Sequence, residues 1–254
     1  MPLLECQDVH VTYGKGPNAL HAVKGVTLDV EPGEIVGLVG ESGCGKSSLG
    51  RAAIGLTDMS GGSVLFEGVS VNQVSKLEQK KIRRNMQMIF QDPYGSLNPR
   101  LQIGSALLDV MEVHSIGSNH QERLDRAVEL LKSVDLPSNS IGRYPHEFSG
   151  GQRQRICIAR ALILEPSLVI ADEPVSALDV SVQAEILELL ESLRQERQLA
   201  FLFISHDLAV VRNLCDRVAV MFNGILVETG RADEVIDRPQ HAYTQKLLDA
   251  VPVF

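Results

Sequence analysis

A glycine-rich segment near the start of the chain has the residue types and the spacing that bind phosphate groups. Residues 40–47 read GESGCGKS, which matches the pattern G-x-x-x-x-G-K-[ST], and they follow the apolar run 35–39. Glycines let successive backbone N–H groups turn toward one anion, and Lys46 adds a positive charge for the outer phosphates. Ser47 offers a hydroxyl ligand for magnesium. The segment predicts a phosphate-binding loop between a buried strand and a helix, rather than an ordinary glycine turn with an exposed lysine.

Two carboxylates stand where a second apolar run ends. Residues 168–171 read LVIA, and Asp172 and Glu173 follow directly. Such a pair can order a metal ion and an attacking water beside a phosphate loop. We expect Asp172 on the metal side, and Glu173 as the general base or the group that positions the water. The alternative is a pair of solvated carboxylates in a turn before Pro174, and the nearby phosphate loop favours the first interpretation.

A histidine marks the end of a third run. Residues 199–204 read LAFLFI and lead through Ser205 into His206. A single histidine at such a place is commonly structural, but an imidazole also exchanges protons near neutral pH. Its position after a predicted core strand, like those of the two motifs above, favours a place in the same site.

A serine, two glycines and a glutamine precede a predicted helix in the second half of the chain. Ser149 and Gln152 match the S-x-x-Q capping box, which is a purely local explanation. That explanation does not account for Gly150 and Gly151, since each glycine weakens a helix start by roughly 0.5–1 kcal/mol relative to alanine. Glycines also permit close approach of a ligand to the backbone. We therefore expect the first turn of this helix to bind an anion.

The elements that must position these residues follow from apolar patterning. Runs without polar alternation are typical of parallel strands covered on both faces, and four such runs are predicted to share one sheet. They span residues 35–39, 86–90, 168–171 and 199–204. The first third of the chain adds strand-like runs at residues 3–13, 26–30 and 64–66.

Helical periodicity dominates the middle of the chain. Apolar residues at helical spacing predict amphipathic helices around residues 124–134 and 186–193. Residues 103–160 contain no clear strand and are punctuated by proline and glycine. We expect a helical subdomain set between strands of the sheet.

Composition limits the classes of function. The 254 residues carry 24 Lys and Arg against 32 Asp and Glu, a net charge of −8, so no general attraction to nucleic acid or anionic lipid is expected. No apolar stretch approaches the roughly 20 residues of a membrane span, and no secretion signal is evident. The 4 cysteines lack paired spacing, which argues against a zinc site or a disulfide framework. These features favour a cytosolic protein, or one that meets the membrane only through a partner.

Taken in order, the motifs resemble those of ABC-transporter ATP-binding subunits over essentially the whole chain. The matching segments are Walker A at 40–47, the Q-loop at Gln91, the signature at 149–152, Walker B at 168–172, the D-loop at 176–179 and the switch histidine at His206. The resemblance implies an α/β fold, namely a P-loop NTPase (RecA-like) core with an N-terminal antiparallel β subdomain and an inserted α-helical subdomain. It also implies one ABC ATPase domain over 1–254, with the core at 1–95 and 161–254 and the helical subdomain at 96–160.

The resemblance assigns roles that patterning alone does not reach. ATP and Mg²⁺ are the implied ligands, with Ser47, Gln91 and Asp172 on the metal and Glu173 and His206 as the catalytic residues. Tyr13 matches the aromatic residue that stacks on adenine, although an ordinary strand tyrosine stays the alternative. The implied nucleotide-binding residues are Tyr13, Gly40, Glu41, Ser42, Gly43, Cys44, Gly45, Lys46, Ser47 and Ser48.

The same resemblance implies that two subunits act together. In this family two ATPase subunits close head to tail around two ATP molecules, so that the signature of one faces the γ-phosphate held by the other. The signature residues here are Ser149, Gly150, Gly151 and Gln152, and Asp179 lies in the D-loop.

Two segments are similar to the peptide/nickel importer branch of the family. They span residues 91–100 and 238–248, and the chain resembles the second ATPase subunit of such importers. The implied partners are two transmembrane permease subunits, a second ATPase subunit (a paralogue or another copy) and, indirectly, an extracytoplasmic substrate-binding protein, with no nucleic acid. The implied location is peripheral, on the cytoplasmic face of the inner membrane. The lack of a cysteine-bearing C-terminal extension favours nickel or metal chelates over oligopeptides as cargo.

Two other classes of protein share part of this pattern. A non-transport ABC ATPase acting on nucleic acid or ribosomes usually has a long coiled coil or two tandem ATPase halves, and sustained heptads are absent from this sequence. A kinase or a small GTPase would use residues 40–47 but would leave 149–152 and His206 without a role.

Overall fold

The computed structural model describes residues 1–249, and within them the strands form a six-stranded and a four-stranded sheet. The strands in chain order are β1 (Leu4–Tyr13), β2 (Leu20–Val30), β3 (Ile35–Val39), β4 (Gly61–Phe66), β5 (Val69–Ser70), β6 (Met86–Ile89), β7 (Leu168–Asp172), β8 (Ala200–Ser205), β9 (Arg217–Phe222) and β10 (Ile225–Arg231).

The six-stranded sheet has the order β10-β9-β3-β8-β7-β6. Strands β9, β3, β8, β7 and β6 are parallel, and β10 pairs antiparallel with β9 at the edge. Every residue of β3, β7 and β8 is buried, as expected for strands covered on both faces. The prediction that the four apolar runs share one sheet is confirmed. Because the strands are parallel, the segments that follow β3, β7 and β8 emerge at the same edge.

The four-stranded sheet is antiparallel, in the order β2-β1-β4-β5. The predicted run at 26–30 is the second half of β2, which begins at Leu20. The sequence obscured this first half because exposed and polar residues such as His21 and Lys24 interrupt the apolar pattern. Strand β1 is irregular near Asp8, whose φ of 49° is left-handed.

Strands β9 and β10 form a hairpin that the sequence analysis missed. Asn223 and Gly224 make its two-residue turn, with φ of 47° and 89°. Asn-Gly between two apolar runs is the strongest short-range signal for a tight hairpin, so the signal was present in the sequence.

The helices surround the six-stranded sheet. They are α1 (Lys46–Ala53), α2 (Lys76–Asn85), α3 (Pro93–Ser96), α4 (Ile103–Val113), α5 (His120–Ser133), α6 (Gly150–Leu162), α7 (Val180–Arg197), α8 (Leu208–Leu214), α9 (Ala232–Asp237) and α10 (Ala242–Asp249). All regular structure between β6 and β7 is helical, as the sequence predicted.

Alternate residues of β3 face two separate apolar cores. Ile35 and Val39 belong to a cluster with residues of α4–α7, whereas Val36 and Leu38 belong to a cluster with α1 and the four-stranded sheet. The sheet is thus the middle layer of an α/β fold, which confirms the fold class. Helix α6 contributes to the first cluster, and the division at 95 and 160 stays a prediction.

Two further features concern membrane-spanning helices and the cysteines. Within residues 1–249, no helix combines the length and the apolar character needed to cross a bilayer. The 4 cysteines are free and buried, and burial raises the pKa of the Cys6 thiol to about 12. Buried thiols of this kind are chemically inert packing groups.

Candidate functional site

The phosphate loop connects β3 to α1, as predicted. Gly40 and Gly45 have φ of 150° and 112°, and a Cβ at either would overlap a backbone carbonyl oxygen, of Met221 and of Ala22 respectively. Glycine is therefore required at both positions by the loop's fit against neighbouring strands. The loop residues 41–43 are exposed, whereas 44–46 are buried beneath them.

Lys46 lies inside the loop rather than in solvent. Its side chain is 4% exposed, and its ammonium donates to the carbonyl oxygens of Gly40 at 2.7 Å and Glu41 at 3.0 Å. Cys44 is buried beside it, and burial raises the pKa of this thiol. The positive charge thus lies within the turn that the glycines form, where a phosphate oxygen is attracted.

Ser47 and Asp172 are brought together from positions 125 residues apart. The Ser47 hydroxyl donates to Asp172 Oδ1 at 2.7 Å. Asp172 is 1% exposed, and its Oδ2 has no hydrogen-bond partner among residues 1–249; Arg51 lies 3.9 Å away. Burial raises the pKa of this carboxyl, against the lowering effect of the Ser47 hydrogen bond. A hydroxyl and a carboxylate with a buried oxygen that accepts no hydrogen bond within residues 1–249 form a donor set that suits a hard divalent cation.

Glu173 is held in an unusual backbone conformation. Its φ of 48° is left-handed, and its N–H donates to the carbonyl oxygen of Ile204 on β8 at 3.0 Å. Ser176 donates to the Glu173 carbonyl through both N–H and hydroxyl. These bonds fix the turn after β7 and so hold the Glu173 side chain at the end of the strand.

The Glu173 carboxylate joins three separate segments. Its Oε2 accepts from Gln91 Nε2 at 3.0 Å and lies 3.2 Å from His206 Nδ1. No hydrogen bond from residues 1–249 reaches its Oε1. One carboxylate oxygen is thus oriented by two side chains while the other is left for a water molecule, which is the arrangement a general base needs.

Tyr13 and Ser48 lie at the edge of the loop. The Tyr13 hydroxyl donates to Ser48 Oγ at 3.2 Å, and the tyrosine is 39% exposed. An exposed aromatic ring beside the phosphate loop is compatible with stacking on a base. The stacking role itself stays a prediction.

Residues 149–152 begin α6 with the predicted capping box. Gln152 N donates to Ser149 Oγ at 3.3 Å and Ser149 N donates to Gln152 Oε1 at 3.0 Å. A Cβ at Gly151 would overlap Val182 on α7, whereas one at Gly150 would lie 3.5 Å from Leu178. Close helix packing thus explains Gly151, a reason that the sequence did not reveal. The expectation that a ligand approaches these glycines stays a prediction.

Asp179 caps the helix that packs against Gly151. Its Oδ1 accepts from Val182 N at 3.1 Å at the start of α7. Side-chain and backbone hydrogen bonds, led by that of Ser181, lower the pKa of its carboxyl. The D-loop residue and the signature are therefore linked through the α6–α7 packing.

One contact to the phosphate loop was missed entirely by sequence reasoning. The Tyr243 hydroxyl on α10 accepts from Glu41 N at 3.0 Å, across 202 residues of chain. No local pattern signals this contact, because a buried tyrosine near the end of a chain is ordinary core in most proteins.

Comparison with known proteins agrees with this geometry. Residues 23–176 match the family model described as ABC transporter, and residues 227–254 match the one described as oligopeptide/dipeptide transporter, C-terminal region. A Brucella ovis protein named for peptide import is 49% identical over 99% of this chain and 79% of its own length. The oligopeptide transport ATP-binding protein OppF of Bacillus subtilis is 46% identical, over 99% of this chain and 83% of its own.

One solved structure with the same fold contains a bound nucleotide. The ATP-binding cassette MJ0796, described as a dimer in a post-hydrolysis state with ADP and Pi, superposes with a TM-score of 0.81 at 30% identity, covering 90% of this chain and 98% of its own. The phosphate loop, the acidic pair and the signature all lie within the matched family segment. The chain thus belongs to the ABC transporter family, as an ATP-hydrolysing ATP-binding subunit.

Proposed function

We propose that this subunit powers the uptake of peptides through a membrane permease. ATP closes it against a second ATPase subunit, and hydrolysis allows the pair to reopen. The observation that carries the catalytic part is the Glu173 carboxylate, oriented by Gln91 and His206 beside the phosphate loop. The names of the Brucella and Bacillus relatives support peptides as cargo.

Glu173 acts as the general base in this proposal. Its Oε1 takes a proton from the attacking water, which then adds to the γ-phosphorus while the bond to the β-phosphate oxygen breaks. His206 and Gln91 keep the carboxylate in place through Oε2. Their contribution is orientation, so each affects turnover more than ATP binding.

In this proposal the phosphates of ATP are held by the backbone of residues 40–48 and by the side chains of Lys46 and Ser47. Ser47 and Asp172 would hold Mg²⁺, with Gln91 as the predicted further ligand, and the bound ion neutralises charge on the phosphate oxygens. Tyr13 stacks on the adenine. The buried Oδ2 of Asp172, which accepts no hydrogen bond within residues 1–249, supports the metal assignment.

The signature is proposed to act on the ATP of the second subunit. The exposed Ser149 and Gln152 form hydrogen bonds only within their own turn among residues 1–249, so within that range only the helix's own cap meets the positive end of α6. The partner subunit is a paralogue or another copy. Two transmembrane permease subunits and an extracytoplasmic substrate-binding protein complete the proposed importer, with this chain on the cytoplasmic face of the inner membrane.

A single variant tests both the catalysis and the cargo. Glu173→Gln keeps the shape, and its amide oxygen can still accept from Gln91 at the position of Oε2. The NH2 group that replaces Oε1 cannot take a proton, so turnover of the assembled transporter falls by about 10²–10⁴-fold while ATP binding is retained. Labelled dipeptide uptake is lost in cells whose only copy carries the variant. Glu188→Gln, an exposed change on α7, leaves both unchanged.

The other outcomes separate the remaining hypotheses. Retained turnover removes Glu173 from the base role. Loss of nickel uptake with intact dipeptide uptake replaces the peptide proposal by the metal cargo that the sequence favoured. If neither flux changes while nucleic acid stimulates turnover, the non-transport class is correct.

A further inference from the structure

The C-terminal part of the chain contacts the phosphate loop at two of its peptide groups. Gly224 N, in the β9–β10 turn, donates to the Cys44 carbonyl at 3.0 Å, and the Tyr243 hydroxyl accepts from Glu41 N at 3.0 Å. The loop is thus held by residues that follow β9, in addition to its own strand and helix. These contacts do not belong to the phosphate-binding pattern itself.

This support reaches Lys46 through the peptide group that joins Gly40 to Glu41. The N–H of that group, on Glu41, donates to the Tyr243 hydroxyl, and its carbonyl oxygen, on Gly40, accepts from Lys46 Nζ at 2.7 Å. The next carbonyl, of Glu41, accepts from Lys46 Nζ at 3.0 Å and from Cys44 N at 3.3 Å. Fixing the orientation of the peptide group between Gly40 and Glu41 therefore fixes an acceptor of the lysine that meets the outer phosphates.

Tyr243 is itself rigidly placed. It is 8% exposed, and its ring packs on Phe222 of β9 with centroids 4.2 Å apart. The segment that leads into its helix is held by Glu228 of β10, whose carboxylate accepts from Gln240 N at 2.7 Å and His241 N at 3.0 Å. A hydroxyl held by ring packing, on a helix whose preceding segment is anchored, can set the position of a loop amide.

We propose that Tyr243 is a positioning residue for ATP binding, which acts through the peptide group between Gly40 and Glu41 on the phosphate loop and Lys46. Its hydroxyl limits the orientations of this peptide group, so that the loop meets the nucleotide in its binding geometry. The proposal rests on the phosphate loop holding ATP.

Tyr243→Phe tests the hydroxyl alone, because phenylalanine keeps the packing on Phe222. In the full chain, a fluorescent ATP analogue binds about three- to tenfold more weakly, as expected from the loss of one hydrogen bond. In the assembled transporter, KM for ATP rises by the same factor while kcat stays within about twofold.

Val235→Ala is the matched variant for a merely structural role. It removes buried apolar volume on α9 and lowers Tm, but it leaves the Tyr243 hydroxyl and its packing on Phe222 in place, so binding stays within about twofold of the parent chain. Equal weakening by both variants at equal loss of Tm overturns the proposal, and so does parental affinity in Tyr243→Phe. Lys46→Ala tests separately whether the phosphate loop holds ATP. If it does, this variant no longer binds the ATP analogue. Full binding by this variant contradicts the proposed function rather than the role of Tyr243.

Discussion

The two halves of the nucleotide machinery in this chain differ in what surrounds them. The phosphate side, residues 40–48 with Gln91, Asp172, Glu173 and His206, is joined by side-chain bonds between segments far apart in sequence. The signature side, residues 149–152, makes only local capping bonds within residues 1–249. In the proposed function, one chain therefore assembles the groups that hold and cleave ATP, whereas its signature presents a helix end to the second subunit.

The largest expected effect is on the phosphate side, from the variant Asp172→Asn. Turnover falls on the order of 100-fold or more, because the carboxylate that suits the metal is gone. Without nucleotide or metal, however, the variant is more stable, since burial of a carboxylate whose Oδ2 accepts no hydrogen bond within residues 1–249 opposes folding. Thermal melting at pH 7 in EDTA checks this, with the exposed Asp58→Asn as the control.

The sign follows from the direction of the pKa shift. Burial raises the pKa of the folded Asp172 carboxyl, so the folded state binds more protons than the unfolded state above the ordinary value of 3.8. Stability from this group therefore falls as the pH rises through the interval between the two pKa values. A lower melting temperature of Asp172→Asn in EDTA at pH 7 contradicts this account.

The signature side is tested by a pair of adjacent glycines. Gly151→Ala places a Cβ against Val182 and is expected to lower the free energy of unfolding by about 1–3 kcal/mol. Gly150→Ala meets only an ordinary contact at 3.5 Å, so its stability stays the same or rises slightly with the better helix former. Denaturant unfolding measures both.

The same pair sharpens the role of the signature. Neither variant changes ATP binding by the isolated chain, because the signature does not contact its own phosphate loop. If Gly150→Ala keeps its stability but loses turnover in the assembled transporter, close approach to a ligand is the reason for that glycine. Full turnover by Gly150→Ala shows instead that only helix packing is at stake.

The smallest expected effect belongs to the helix cap. Ser149→Ala removes the acceptor for Gln152 N and lowers stability by about 1 kcal/mol. Ser75→Ala removes an equivalent capping box at α2 and is expected to lose as much stability. Turnover of the assembled transporter separates the two, since only Ser149 is proposed to meet nucleotide. Equal turnover in both variants reduces Ser149 to a cap.

Sequence reasoning succeeded where function depends on local pattern. The phosphate loop, the buried parallel strands and the capping box at Ser149 are read from contiguous residues, and the structure has each of them. It also placed His206 and Glu173 at neighbouring strand ends, because parallel strands bring their carboxyl ends to one edge. The nucleotide and metal roles of the site residues stay predictions.

What escaped prediction depends on contacts between distant segments. Two contacts exist only once the helices and the sheet are assembled. They are the packing of Gly151 on Val182 and the hydrogen bond from Glu41 N to the Tyr243 hydroxyl. The first half of β2 was missed because polar residues broke its pattern. The β9–β10 hairpin differs from these, since the adjacent residues Asn223 and Gly224 are a local sequence signal for its turn.

The left-handed backbone of Glu173 has a consequence for how activity is lost. Glycine adopts such a φ without the roughly 1 kcal/mol or more that other residues incur. Replacing the glutamate by glycine would therefore delete the proposed base and relax the chain at the same step. A subunit with this change would still bind nucleotide but would not hydrolyse it. Such a subunit would be as stable as an active one.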